Sequence, residues 1–335
     1  MADSLIPVAV AATLVASLFG LLVGSFANVV IHRLPLDQSI VFPSSRCPRC
    51  GAAIRPWQNI PVASWLWLGG RCASCREPIS PRYPAVELLH GLGFGLIVWT
   101  FGPLPFTLLL LLFFFALVVL AFIDWDHQIL PNEITLPGIL VGIAGSLVPG
   151  ALIDWREAGL SAAFGYVAFF LVAEGYARLR GIEGLGQGDW KLAAMMGAFL
   201  GAQRLMLTVF IASLSGLTYG LVQAMRLRRE SVTLEMAAPS EDAEASTRAD
   251  LVSTPPSGPS AETDTGSSSN PQAAATGESA PNPDAPTAHS ANEEDHPVSI
   301  GKYKLPFGTF LAASAIFVLF YGDPVLEWYA SLFRF

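Results

Sequence analysis

From Leu88 to Ile123 the chain runs for 36 residues without one Asp, Glu, Lys or Arg. A helix needs ~20 apolar residues to cross a bilayer core ~30 Å thick, so this stretch is too long for a single span. "GPLP" at 102 to 105 supplies a turn that splits it in two. Further apolar runs lie at about 5 to 31, 134 to 153, 158 to 177, 190 to 203, 205 to 224 and 305 to 322. The run at 190 to 203 is short, and the next begins directly after Arg204. The pattern predicts an all-α polytopic membrane protein with about eight transmembrane helices. Composition agrees, since 52% hydrophobic and 14% charged residues exclude an ordinary soluble domain. The first run has no basic residue before it and no persuasive small-residue cleavage site, and it reads as a retained helix rather than a signal peptide.

Arginines set the expected orientation, because short loops rich in Lys and Arg stay in the cytoplasm. Residues 33 to 83 hold seven arginines, from Arg33 to Arg82, against Asp37 and Glu77. Counting spans from that cytoplasmic loop puts "FGPLP" outside, "DWDHQILPNE" inside, "ALIDWREAG" largely outside, and both "ARLRGIEGLGQGDWK" and "RLRRE" inside. Every arginine-rich junction between spans except those at Arg156 and Arg204 falls on the cytoplasmic side, and both termini lie outside.

The formal charge of -8 comes from one tract. Residues 230 to 297 carry 13 Asp and Glu against Arg248 alone, so the remainder of the chain is net positive. This tract is rich in Ser, Thr, Pro and Ala and nearly free of aromatics, a composition too polar to offset its chain entropy by burial. A disordered cytoplasmic loop is expected there, either a tolerated insertion or a regulatory, partner-binding segment.

"CPRC" at 47 to 50 and "CASC" at 72 to 75 stand 21 residues apart. Two such knuckles can surround one tetrahedral Zn2+ with four thiolates, leaving no open position, which makes a structural site. The spacing is one residue beyond the usual window. Cys47, Cys50, Cys72 and Cys75 are the candidate zinc ligands. A redox CxxC pair, disulfides or inert thiols are the competing readings. The reducing cytoplasm expected around this loop favours zinc.

Glu87, Glu174 and Glu183 lie near span ends, where interfacial snorkelling or bundle polarity explains them. Asp124 is different: it follows "LLFFFALVVLAFI" at the C-terminal end of a span, where the helix dipole disfavours negative charge. Asp189, in "GLGQGDWK", precedes a helix, where a carboxylate can serve as a plain N-cap. Its glycines allow a sharp bend and close approach. The order GxxxxGK[ST] is missing and no βαβ context surrounds it, so nucleotide binding is not indicated. Topology brings Asp124 and Asp189 to the cytoplasmic faces of neighbouring spans. Two adjacent carboxylates share a proton, one acting as general base toward water and the other as general acid, as in aspartyl proteases. The dipole argument makes Asp189 the more acidic partner and Asp124 the proton holder, although such a pair titrates as a unit.

At these residues the chain resembles the type IV prepilin peptidases, the bifunctional leader peptidase and N-methyltransferase of the membrane GxGD aspartyl proteases. The resemblance is carried by "GSFANVVIHRLP" at 24 to 35, the cysteine loop from 47 to 89, "FIDWDHQILPNEITLP" at 122 to 137 and "GQGDWKLAAMMGAFLG" at 186 to 201. It implies that Asp124 and Asp189 are the catalytic pair and that the four cysteines are the zinc-type set. Two departures stand out. "LPN" replaces the usual LPD, making Asn132 an amide and not the essential acid, and the acidic insert is foreign to the family pattern.

The resemblance further implies pilin and pseudopilin precursors as substrates, cut on the cytoplasmic side of the bacterial inner membrane. It also implies methylation of the new N-terminal residue from S-adenosylmethionine. No independent signature for that cofactor is present, and its binding residues are unknown; the loop from 33 to 83 is the expected location. Nucleic acid is not an expected partner. The expected division is a first transmembrane helix at 1 to 32, a zinc-binding loop at 33 to 83 and a peptidase core at 84 to 229. The acidic insert follows at 230 to 302, and the last helix at 303 to 335. Two alternatives remain: a peptidase without methyltransferase activity, and a non-enzymatic zinc-stabilised assembly protein or transporter. A transporter would place its acids near mid-membrane on broken helices.

Overall fold

The computed structural model describes residues 2 to 181, 186 to 237 and 305 to 332. Glu183 and nearly all of the acidic insert lie outside the described residues. Among the described residues there is no strand, only two isolated bridges. The helices are α1 (Ala2–Arg33), α2 (Ala63–Trp67), α3 (Arg82–Phe101), α4 (Pro105–His127), α5 (Asn132–Gly145), α6 (Trp155–Arg180), α7 (Gln187–Ala237) and α8 (Phe307–Ser331).

Six of these helices are long and apolar enough to cross a membrane. The sequence predicts about eight spans, and the difference has two sources. At 14 residues, α5 reaches only ~21 Å, less than a bilayer core. The runs at 190 to 203 and 205 to 224 both belong to α7, which is broken at Gly201 (φ 82, ψ 167). That break is a reversal. Phe199 stacks on Phe113 of α4 at 4.3 Å, and Arg204 then pairs with Asp323 near the far end of α8. Tyr219 has returned to Phe310 at the start of α8, at 5.5 Å, and to Trp125 at the end of α4, at 5.8 Å. The helix continues to Ala237, so the first residues assigned to the acidic loop are helical.

The division at "GPLP" holds. Gly102 takes φ 73 and its N–H closes α3 onto the Val98 carbonyl, while Pro105 opens α4, where its missing N–H costs nothing. Apolar on every side, α4 packs against α1, α3, α5 and α8 and leaves Leu108 and Leu112 exposed. Phe113, Phe114, Leu117 and Leu120 are fully buried along it.

Close helix contacts use small residues, since lipid offers no hydrophobic drive for association and packing must supply it. On α1 a Cβ at Gly24 would stand 2.7 Å from the Glu87 Cα of α3. Between α6 and α7 a Cβ at Gly165 would meet the Ala193 carbonyl at 2.7 Å, and one at Gly197 would collide with the Ser161 carbonyl. Backbone on the other side cannot step aside. Gly197→Ala is therefore expected to destabilise the fold by about 1–3 kcal/mol, read as a lowered thermal midpoint of the detergent-solubilised protein. An unchanged midpoint would contradict this packing.

Candidate active site and metal centre

Asp124 sits in the last turn of α4 and is 5% exposed; Asp189 sits in the first turn of α7 and is 7% exposed. The chain leaves α4 through Gln128, whose left-handed conformation (φ 54) lets its N–H bond the Asp124 carbonyl at 2.9 Å. This turn projects Leu130 against the glycine loop. A Cβ at Gly188 would stand 2.6 Å from the Leu130 Cβ, so the close approach excludes any side chain there. On the other flank of that contact, Lys191 Nζ donates to Asn132 Oδ1 at 2.6 Å. The two aspartate-bearing segments are thus clamped twice, which brings the buried Asp124 and Asp189 to the same end of the bundle.

Asp189 is a helix-start residue, as its sequence context predicts. Its N–H bonds the Gly186 carbonyl at 3.1 Å, and its Oδ2 accepts from the Gly186 N–H at 3.1 Å. Thr309 on α8 reaches Asp124 Oδ2 twice: its backbone N–H donates at 2.7 Å, and its hydroxyl, shared with the Ala121 carbonyl, lies at 3.1 Å. Local donors therefore do not single out Asp189 as the charged partner, contrary to the expectation from helix ends alone. Two buried carboxylates close enough to feel each other's charge would share one proton, and such a pair can act as base and acid at once.

The other acids have structural partners. Glu87 is buried and accepts the Val62 N–H at 2.7 Å, tying the cysteine loop to α3 rather than snorkelling. Glu174 pairs with Arg178 one turn on, at 2.9 Å. Asp126, beside the site, bonds Arg82 at 2.9 Å, and the same guanidinium lies over the Phe122 ring. Arg204, one of the two arginines expected outside, is neutralised by Asp323 through Nε and a terminal nitrogen, both at 2.9 Å.

The four cysteines converge. Their sulfurs all lie within 4.8 Å of one another, and the Cys47 and Cys75 sulfurs are 3.9 Å apart. Ligands ~2.3 Å from a common ion at tetrahedral corners are ~3.8 Å apart, so the cluster fits a metal ion and is too open for two formed disulfides. All four are free thiols. Each knuckle is the same turn: Gly51 N–H bonds the Cys47 carbonyl at 2.9 Å, and Arg76 N–H bonds the Cys72 carbonyl at 3.1 Å. Gly51 (φ 69) and Arg76 (φ 61) both take the left-handed conformation this requires. The Cys75 and Ser74 amides aimed at the Cys72 sulfur bring its thiol down to about 6, favouring the ligating thiolate. Cys75 goes up to about 12: the Glu77 amide favours its thiolate, but desolvation and the surrounding thiols outweigh it. A bound cation would reverse that repulsion.

Comparison with known proteins follows the same two sites. Residues 18–101 match the bacterial Peptidase A24 N-terminal domain, which contains the cysteines, and residues 111–221 match the type IV leader peptidase family, which contains both aspartates. The prepilin leader peptidase/N-methyltransferase of Neisseria gonorrhoeae is 42% identical over 231 residues, covering 62% of this chain and 80% of that protein. The chain belongs to the type IV leader peptidase family. Its counterpart in Pseudomonas aeruginosa is 40% identical over 234 residues, covering 63% and 80%, and that of Myxococcus xanthus 46% over 214 residues, covering 63% and 62%. No solved structure matches the chain. The family match ends at 221, before α8, so Thr309 is a site residue that the sequence motifs missed. Threonine in the apolar run "PFGTFLAAS" gives no signal by itself.

Proposed function

We propose that the chain is a prepilin leader peptidase and N-methyltransferase whose peptidase centre is the Asp124–Asp189 pair. The carrying observation is that these two buried carboxylates stand at helix ends whose segments are held together by Leu130 against Gly188 and by Lys191 against Asn132. One carboxylate takes a proton from water as its oxygen attacks the scissile carbonyl. The other gives its proton to the departing amide nitrogen, so the pair starts and ends with one shared proton. At Gly186 a Cβ would meet only the Asp189 carboxylate, so an extended leader would approach Asp189 from that side, whereas Gly188 is closed by Leu130. Both acids lie at span ends rather than mid-bundle, which favours hydrolysis of an interfacial peptide over ion passage.

The same reading assigns Cys47, Cys50, Cys72 and Cys75 to one structural Zn2+, with four sulfur ligands and no position for substrate. It divides the chain into the first helix, the zinc loop at 33 to 83, the peptidase core at 84 to 229, the insert at 230 to 302 and the last helix. The substrates are prepilins and pseudopilins of type IV pili or type II secretion. The enzyme lies in the bacterial inner membrane with the aspartates facing the cytoplasm, on the side of the arginine-rich loops. S-adenosylmethionine is the methyl donor on the strength of the relatives' names; no residue is assigned to it, and its expected place is the loop at 33 to 83.

Purified protein incubated with a pilin precursor and S-adenosylmethionine is expected to yield pilin lacking its leader and one methyl group heavier at the new terminus by mass spectrometry. Leader loss alone would reduce the activity to that of a peptidase, and an intact precursor would overturn the proposal.

A further inference from the structure

We infer that Thr309 of α8 is a positioning residue for the peptidase reaction, holding the Asp124 carboxylate toward Asp189. The inference rests on the proposed role of Asp124 and adds a helix that the family match leaves out.

The geometry is specific. The Thr309 N–H and hydroxyl both reach the same oxygen, Asp124 Oδ2, at 2.7 and 3.1 Å, and the hydroxyl also lies 2.9 Å from the Ala121 carbonyl of α4. One hydroxyl has one proton, so it bonds either the carbonyl or the carboxylate at a given moment, and it can follow the protonation of Asp124. The contact is enforced from both sides. A Cβ at Gly308 would stand 3.1 Å from the Asp124 Cγ and 3.0 Å from Leu130, so glycine lets the first turn of α8 close on the acid. At the far end of α8, Arg204 grips Asp323, fixing the helix along its axis. Leu311, Ala312 and Ala315, directly after Thr309, are fully buried, fixing its rotation.

The physical need is equally specific. Asp124 lies at the C-terminal end of its own helix, where the α4 dipole opposes negative charge. The donors that compensate come from α8. With one oxygen occupied by Thr309, the other remains for water or for Asp189. A carboxylate free to rotate would lose that alignment, and misplacement of a reacting group lowers turnover more than binding.

The test uses the full-length protein in detergent, with cleavage of a pilin precursor followed to obtain kcat and KM. Thr309→Val keeps the shape and removes the hydroxyl; Thr309→Ser restores it. The expected result is a kcat about tenfold to a hundredfold lower for Thr309→Val, with KM within about twofold, and near-normal kcat for Thr309→Ser. Wild-type kcat in Thr309→Val would overturn the inference, as would a Thr309→Ser enzyme as impaired as Thr309→Val, because the side chain would then act through packing. If Thr309→Val fails to fold, Thr309→Ala compared with Thr309→Ser carries the same contrast. Asp124→Asn in parallel separates the two levels. Its inactivity beside a normal Thr309→Val enzyme defeats only this inference, whereas active Asp124→Asn defeats the aspartyl reading beneath it.

Discussion

Asp124→Asn and Asp189→Asn are each expected to abolish leader cleavage, by at least about a thousandfold, while leaving the fold intact. An amide keeps the size of the carboxyl group and most of its hydrogen bonds, including those from Thr309 and Gly186. It cannot accept a proton from water or deliver one to the leaving nitrogen. Relief of the repulsion between two buried, adjacent carboxylates should leave thermal stability equal or slightly raised in both variants. An inactive but destabilised variant would point to a structural role. The combination of lost turnover and retained stability separates catalytic acids from a helix cap, the bland account that the sequence context of Asp189 permits.

The second large effect concerns the cysteine loop. Cys47→Ser is expected to reduce the bound zinc from one per chain to below about a tenth, because four thiolates hold the ion together and binding contributes directly to folding. Residues 33 to 83 should then become susceptible to protease, since this loop contains only the short helix α2, single 3-10 turns and two isolated bridges to stabilise it. Zinc quantification on purified protein, with limited proteolysis before and after chelation, measures both. A chelator should reproduce the variant, whereas a thiol reductant should have no effect. Sensitivity to reductant and indifference to chelator would instead indicate a redox pair. Loss of the loop should also reach the membrane core, because Glu87 would lose the Val62 N–H that it accepts while buried.

Much of this arrangement was legible in the sequence because it depends on local rules. Missing charge between Glu87 and Asp124 marked two spans, and the glycine and proline between them marked the turn. Paired CxxC knuckles marked four sulfurs that could surround one metal ion, and the structure brings them within 4.8 Å of one another. The aspartates were expected at neighbouring span ends, and the structure has Asp124 in the last turn of α4 and Asp189 in the first turn of α7.

What escaped the sequence is tertiary. Two spans were expected to meet at Arg204, but nothing local marked Gly201, inside the first of these runs, as the turning point, with Phe199 against Phe113 on one side of it and Arg204 against Asp323 on the other. Asn132 read as a departure from a family acid, yet the structure uses its side-chain oxygen to hold Lys191, two residues past Asp189. Thr309 follows Asp124 by 185 residues, beyond the acidic insert, and no local pattern links them. Helix ends alone made Asp189 the better-stabilised charge; the donors that α8 brings to Asp124 could not be counted before the helices were assembled.

In the proposed mechanism Asp124 and Asp189 form one proton-sharing unit that cleaves the leader. Leader cleavage by the Asp124→Asn and Asp189→Asn single variants, compared with the variant carrying both, tests it most directly. Groups that act as a unit are not additive. Each single variant is expected to be as inactive as the double variant. Substantial cleavage by either single variant, or a double variant slowed by the product of two separate modest effects, would contradict it.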